Sequence, residues 1–258
     1  MALKRLPRRL QHGEEATLVE HLGELRSRLL ISILTLAPAF GVAFAFQERL
    51  IEWLSRPLPD DKKQLQTLGV VEPFTTAVKV SLAAAVAVTL PVLLYQLWAF
   101  LAPAIEERVQ RTVAVFATFA TVLFAGGVAF SYFIVLPRAL AFLTSFNDAQ
   151  FDVQVRASYY FSFVTVTLLA TGLAFQMPIF ILALVRLRVL TAERLRRNRR
   201  LGMLGMLVFA ILLPTVDPVS LALEVVPLLL LFELSIWLAT YMEKRWDSAD
   251  QKSRWAVE

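Results

Sequence analysis

The chain has 258 residues, of which 57% are hydrophobic and only 18% are charged, and its formal net charge is +5. Soluble domains are about 45 to 50% apolar and about 25% charged, so this composition excludes an ordinary soluble protein and favours an integral membrane protein. The chain has no cysteine, which excludes disulfides and thiolate metal sites. Both histidines precede the first apolar segment, so no histidine can serve as a base or ligand within a membrane.

Residues 17–28 predict an amphipathic helix that leads into the membrane. Thr17 and Glu20 have the spacing of a capping box, which marks a helix start. Leucines then recur on one face, while Glu24 and Arg28 lie on another face at the spacing of four that favours a local ion pair. From spacing alone, an interfacial helix with such a pair is the favoured interpretation.

Six apolar segments follow, and they predict an all-α polytopic membrane protein with six transmembrane helices in a single domain. About 20 apolar residues are needed to cross about 30 Å of hydrocarbon. The fifth segment is shorter than this, so we expect the bilayer to thin beside it. The sixth carries Glu224 and Glu233, which must face protein or water. The predicted spans are residues 29–46, 80–104, 112–137, 157–185, 201–215 and 219–242.

Lysine and arginine are distributed unevenly between the two sets of alternate loops. One set, which includes both termini, carries 19 of these residues and the other carries 6. Because basic loops stay in the cytoplasm, both termini are predicted to be cytoplasmic. The loop at 186–200 carries seven arginines, which orientation and attraction to anionic lipid explain without a further partner. The net charge therefore gives no reason to expect nucleic-acid binding.

Six motifs in chain order resemble the TatC family, the receptor subunit of the twin-arginine protein translocase. The resemblance extends from His21 to about Ala239. The motifs are HLGELRSRL at 21–29, EPF at 72–74 with Lys79, PVLLYQLWAFLAPAI at 91–105, SYYFSF at 158–163 with GLAFQMP at 172–178, LTAERLRRNRR at 190–200, and Asp217 with Pro227 and LFE at 231–233.

The resemblance implies a glove-shaped protein in the cytoplasmic (inner) membrane that binds paired-arginine signal peptides of folded cargo. It also implies partners: single-span subunits of the TatA and TatB type, membrane lipid, and further copies of the chain in an oligomeric complex. No cofactor, no metal and no enzymatic activity are expected.

The resemblance assigns signal-peptide recognition to Glu24, with Arg26 in the same motif. Carboxylates suit this role because a planar guanidinium forms bidentate, charge-assisted hydrogen bonds with them. The family's second recognition carboxylate falls at Val109 here, which cannot supply a charge. Glu106 and Glu107 lie one helical turn earlier and are the predicted replacements. The alternative is that they are solvated charges balancing the neighbouring arginines.

The fourth apolar segment carries Gln176 where the family commonly has a carboxylate. With Pro178, which frees a nearby backbone carbonyl, the resemblance implies a docking face for a partner single-span helix. The alternative is an amide that is hydrogen-bonded inside the chain's own helix bundle.

Five further family positions are interpreted as structural or functional polar sites. For Asp217, a role as helix cap is an equal alternative. Glu224 has no counterpart in the family pattern, so it is either packed against other helices or hydrated. The five positions are Glu72, Pro73, Phe74, Asp217 and Glu233.

Two other classes of function compete with this interpretation. A secondary transporter would also use broken helices and intramembrane acids, but it gives no reason for the ordered motifs. An intramembrane protease would need a catalytic dyad or metal motif, and the spans contain no histidine, no GxSxG, no HExxH and no pair of aspartates.

Overall fold

The computed structural model describes residues 18–101, 110–147, 150, 153–186, 189–213 and 217–255, and these form α-helices with no strand among them. A 3₁₀ turn at Asp60–Lys62 and a π-helical turn at Ser131–Val135 complete the regular structure of this part of the chain. The helices are α1 Leu18–Ala45, α2 Gln47–Ser55, α3 Glu72–Leu101, α4 Gln110–Phe130, α5 Leu136–Ser145, α6 Ala157–Ala174, α7 Met177–Arg186, α8 Ala192–Arg197, α9 Arg199–Leu212 and α10 Pro218–Trp255.

Five helical segments among the described residues are long and apolar enough to cross a membrane, which confirms the predicted all-α, multi-span membrane architecture. The helix α9 has 14 residues, or about 21 Å at 1.5 Å per residue, which is less than the hydrocarbon thickness. The count of six spans therefore stays a prediction. The five segments are Leu22–Ala45, Glu72–Leu97, Ala117–Ser145, Ala157–Arg186 and Pro218–Glu243.

The helix α3 is central, because α1, α2, α4 and α6 all pack against it. Near its start, buried aromatic and aliphatic side chains of several helices form one core cluster. Two tyrosines of this cluster hold the end of α2: Tyr160 Oη donates to the Leu54 carbonyl at 2.7 Å, and Tyr132 Oη donates to the Trp53 carbonyl at 2.8 Å. The short helix α2 is thus fixed to one end of the bundle.

The helix α10 packs against α7, α8 and α9 and forms the second half of the bundle. Gly202 of α9 faces Phe232 of α10, where an added Cβ would lie 2.1 Å from the phenylalanine ring. Between α4 and α6, Cβ atoms on Gly127 and Gly172 would likewise lie within 3 Å of facing phenylalanines. Small residues at such contacts let membrane helices approach closely.

The fourth predicted span is one apolar segment but two helices, α6 and α7. The break falls at Phe175 and Gln176 because Pro178 has no N–H to donate to the Ala174 carbonyl. The Gln176 carbonyl instead accepts from Ile179 N at 3.0 Å. By contrast, the prolines at 38, 91 and 227 lie within uninterrupted helices.

Candidate functional site

Glu24 lies in the first turns of α1, where its side chain is 27% exposed. Its Oε1 accepts from Arg28 Nε at 3.0 Å and from Arg28 Nη2, so the ion pair that the spacing favours is present. The remaining nitrogen, Arg28 Nη1, donates to Gln96 Oε1 of α3 at 3.3 Å. Arg28 therefore connects the partly exposed carboxylate of α1 to the last turns of α3.

The carboxylate of Glu24 is only partly used by this arrangement. Both bonds from Arg28 go to Oε1, and within the described part of the chain Oε2 accepts none. Arg26 is exposed on the same helix, and so is the apolar face that includes Leu22 and Leu29. Glu24 can thus accept a further donor from outside the chain. Glu106 and Glu107, the predicted second recognition site, lie outside the described residues.

Glu72 is held very differently at the opposite end of α3. Its Oε1 accepts from Arg156 Nε at 3.0 Å and from Ser158 N at 3.1 Å. Its Oε2 accepts from Arg156 Nη2 at 3.1 Å, from Leu68 N at 2.9 Å and from Gly69 N at 3.3 Å. The Glu72 side chain is 5% exposed. Its hydrogen bonds with Arg156 raise the pKa of the Arg156 guanidinium.

These bonds join three segments: the loop before α3, the start of α3 and the start of α6. Gln66 strengthens the same junction, since its N donates to the Val155 carbonyl at 3.0 Å and its carbonyl accepts from Ala157 N at 2.9 Å. Pro73 is exposed, and Phe74 contacts Phe44 of α1 edge to face at 6.3 Å between ring centroids. The arrangement around Glu72 fastens helix ends together.

Gln176 lies in the interior of the bundle and is 1% exposed. Its Nε2 donates to the Ala120 carbonyl of α4 at 3.0 Å, and neighbouring Pro178 is also fully buried. The prediction that these two residues form a docking face disagrees with this placement, because neither presents a surface to a partner helix. The alternative, an amide bonded inside the bundle, describes the observed contact.

The remaining predicted acids have separate partners. Asp217 caps α10, since its Oδ1 accepts from Ser220 N at 2.7 Å. Glu233 forms a bidentate pair with Arg199 at the start of α9. Glu224 is 1% exposed, and its Oε1 accepts from Thr171 Oγ1 of α6 at 3.0 Å. The structure therefore brings none of these acids to Glu24.

Among the predicted site acids that the structure describes, Glu24 is the one with an accessible, partly uncommitted carboxylate. Within the described residues, no group of three or more histidine, cysteine or acidic side chains could hold a metal ion. Sequence reasoning missed Gln96 and Arg156, which orient Arg28 and Glu72. Gln96 lies within the motif at 91–105, and Arg156 shortly precedes the motif at 158–163. The sequence around either residue does not indicate its distant partner.

Comparison with known proteins gives a consistent result. The family model described as Sec-independent protein translocase protein (TatC) matches residues 20–227. The protein TatCd of Bacillus subtilis (strain 168) is 34% identical over 90% of this chain and 95% of its own length. TatC of Aquifex aeolicus (strain VF5) is 37% identical over 86% of this chain and 93% of its own length. A crystal structure of the twin arginine translocase receptor TatC has a TM-score of 0.75 and 36% identity, covering 85% of this chain and 99% of that one.

Proposed function

The chain belongs to the TatC family of Sec-independent protein translocases, and on that premise we propose that it is the signal-peptide receptor and core subunit of a twin-arginine translocase. It is a multi-pass membrane protein of a translocase family, not of a family of catalysts. The observation that carries the proposal is the partly exposed Glu24 carboxylate, whose Oε2 has no donor among the described residues. A signal peptide presents paired guanidinium groups, which such a carboxylate binds in bidentate geometry.

Arg28 explains how Glu24 can exchange partners. An ion pair four residues apart in a helix is worth only about 0.2 to 0.5 kcal/mol, so an incoming arginine displaces this partly exposed pair at little cost. The released Arg28 keeps its hydrogen bond to Gln96 and need not become unpaired. The carboxylate is thus held in a defined orientation before binding and is free to rotate onto the peptide.

The second arginine of the peptide needs a second carboxylate, and we assign this role to Glu106 and Glu107 jointly. They follow α3, the helix that carries Gln96, in the sequence. Because each can replace the other, changing one of them to alanine should be mild and changing both should be severe. Equal, negligible losses in the single and double variants would leave Glu24 as the only supported carboxylate.

The proposal includes location and partners. The bias of 19 basic residues against 6 supports a cytoplasmic membrane protein with both termini in the cytoplasm. Six spans, including the short α9, are required for that topology. Single-span TatA- and TatB-type subunits and further copies of this chain complete the complex, and no enzymatic activity is assigned to it.

The direct test is photo-crosslinking of a twin-arginine signal peptide to the full chain in membranes, with a twin-lysine peptide for comparison. The twin-arginine peptide should crosslink strongly and the twin-lysine peptide weakly, because an ammonium lacks the planar fork. Glu24→Gln should remove the difference, while Glu193→Gln, an exposed carboxylate of α8, should not. Equal crosslinking of the two peptides to the unaltered chain would contradict the proposal.

A secondary transporter is the second candidate, and the buried Glu224 is the observation that favours it. An acid within a membrane helix often marks a solute or proton pathway. Purified protein in vesicles should then accumulate a solute or proton in a manner that Glu224→Gln abolishes. Vesicles that show no such uptake, together with specific peptide crosslinking, would exclude this candidate.

A further inference from the structure

Five buried polar side chains lie along the facing sides of α6 and α10, and signal-peptide binding uses none of them. Each is at most 3% exposed. One hydrogen bond joins the two helices here, from Thr171 Oγ1 to Glu224 Oε1 at 3.0 Å. The five are Thr167 and Thr171 of α6, Asp217 directly before α10, and Ser220 and Glu224 in its first turns.

The two carboxylates of this group are directed toward the same turn of α10. Asp217, Ser220 and Glu224 are spaced three and four residues apart, which places them on one face of the helix. Asp217 Oδ1 accepts from Ser220 N at 2.7 Å, so this carboxylate lies over the first turn. The Glu224 side chain inclines toward the N-terminus of α10, because Cα–Cβ bonds tilt that way in an α-helix. Ser220 lies between the two acids.

Thr167 approaches the same turn from α6. It lies four residues before Thr171, on the same face of that helix. The two spans run in the same direction, since the bond between Thr171 and Glu224 is followed, further along both, by a core cluster of α7 and α10 side chains. Thr167 is therefore level with Ser220, one turn nearer the start of each span.

Four oxygens of this group have no hydrogen-bond partner among the described residues. A buried polar group without a partner destabilises a fold, and a buried unpaired charge does so far more. The helices α5, α7, α8 and α9 pack closely against α10, whereas α6 packs less closely, so side chains span the distance between α6 and α10. The four oxygens are Thr167 Oγ1, Asp217 Oδ2, Ser220 Oγ and Glu224 Oε2.

The negative charge of the group also lacks a positive partner. Within the described part of the chain, no lysine or arginine forms an ion pair with Asp217 or Glu224. Asp217 caps α10, so the positive end of the helix dipole offsets part of its charge. Glu224 lies beyond the first turn, where the effect of the dipole has faded. One positive charge close to Glu224 Oε2 would complete the balance.

We propose that these four oxygens bind one alkali-metal cation, Na⁺ or K⁺, between α6 and α10. Hard cations take oxygen ligands, and a buried carboxylate is stabilised when it coordinates a metal ion. A divalent ion needs more acidic ligands, and among the described residues no group of three or more histidine, cysteine or acidic side chains could hold one. The bound cation fastens Glu224 of α10 to Thr167 of α6.

Thermal unfolding of the purified full chain in dodecyl maltoside tests the proposal. Chlorides of sodium, potassium and the bulky cation N-methyl-D-glucamine are compared at one ionic strength. Sodium or potassium should raise the melting temperature saturably, by about 5 °C at a hundred times the dissociation constant, because a ligand stabilises the fold that binds it. The salt with the larger shift identifies the cation. Equilibrium dialysis with radiolabelled sodium, or with rubidium in place of potassium, should find one bound cation per chain.

Two variants remove ligands and two serve as matched controls. Glu224→Gln keeps an acceptor oxygen for Thr171 but removes the charge, so the cation-dependent shift should vanish. Ser220→Ala removes one ligand and should weaken cation binding about tenfold or more. Ser235→Ala removes another buried serine of α10, whose Oγ already donates to a backbone carbonyl, and Glu52→Gln removes an exposed acid of α2. Both controls should show the shift of the unaltered chain.

Three results would overturn the proposal. The first is equal melting of the unaltered chain in all three salts with no bound radiolabelled cation. The second is a shift that persists in both Glu224→Gln and Ser220→Ala, which would place the cation elsewhere. The third is a Glu224→Gln variant that melts higher than the unaltered chain in every salt, which would show that no cation offsets the acid. Binding is measured without peptide and without a gradient, so the result is independent of signal-peptide recognition and of transport.

Discussion

Glu72 and Glu24 are both carboxylates at helix starts, and they lie at opposite ends of α3, yet the protein holds them in different ways. Glu72 is 5% exposed and accepts bonds from Leu68, Gly69, Arg156 and Ser158. Glu24 is 27% exposed, and a single residue of its own helix donates to it. The fold supplies donors to both oxygens of Glu72, whereas the described donors of Glu24 reach only its Oε1.

The difference supports the proposal that Glu72 is a structural acid and Glu24 a recognition acid. A carboxylate whose acceptor sites are all filled cannot bind a ligand unless the fold opens, and the hydrogen bonds it makes are lost if it is removed. A carboxylate held weakly by a neighbour four residues away can exchange that neighbour for a ligand at small cost. Substitutions should therefore change stability at Glu72 and peptide affinity at Glu24.

The largest effect is expected from Glu72→Ala. The change removes the carboxylate that accepts hydrogen bonds from the Arg156 guanidinium and from three backbone N–H groups at the junction of α3 and α6. The melting temperature of the purified protein should fall by about 5 °C or more, with a matching loss of protein from membranes. Glu52→Gln, an exposed acid of α2, is the control and should melt as the unaltered protein does. An unchanged melting temperature in Glu72→Ala would break the comparison.

The second-largest effect is expected from Glu24→Gln, which should lower peptide affinity and leave stability unchanged. Glu24→Gln keeps the shape of the side chain but removes the charge, so twin-arginine peptide affinity should fall about tenfold or more as charge-assisted bonds weaken. Its melting temperature should stay within about 1 °C, since only a local pair is lost. Titration of a labelled peptide measures the affinity. A variant that melts early and binds normally would assign Glu24 a structural role instead.

Gln176 provides a third, intermediate case, because it is buried like Glu72 but uncharged. Gln176→Leu removes the bond to the Ala120 carbonyl, and an interhelical hydrogen bond in a membrane is worth about 0.6 to 2 kcal/mol. Unfolding in denaturing detergent should show a loss of this size, while peptide affinity stays unchanged. Loss of partner crosslinking at full stability would instead restore the docking role that the family resemblance implies.

How far the sequence predicts these sites depends on how local the signal is. The long spans and the pair of Glu24 and Arg28 follow from hydropathy and a spacing of four, which are properties of one segment. The helix α2 lies in a charged loop and was not predicted. Neither was the bond from Arg156 to Glu72, which joins residues 84 positions apart and depends on how α3 and α6 pack. The burial of Gln176 likewise depends on α4.

The smallest effect, and the sharpest test of partner exchange, is expected from Gln96→Leu. Gln96 accepts a hydrogen bond from Arg28 Nη1, so its loss leaves the guanidinium bonded to Glu24 alone. Displacement of Arg28 from Glu24 by a peptide arginine then becomes slightly harder. A single hydrogen bond at a partly exposed site is worth about 0.5 kcal/mol, which corresponds to about a twofold weaker peptide affinity. Arg28→Gln removes the competitor itself and should shift affinity in the opposite direction by a similar factor. If both changes weakened binding tenfold, Arg28 and Gln96 would contact the peptide directly, and the carboxylate of Glu24 would be one member of a larger site.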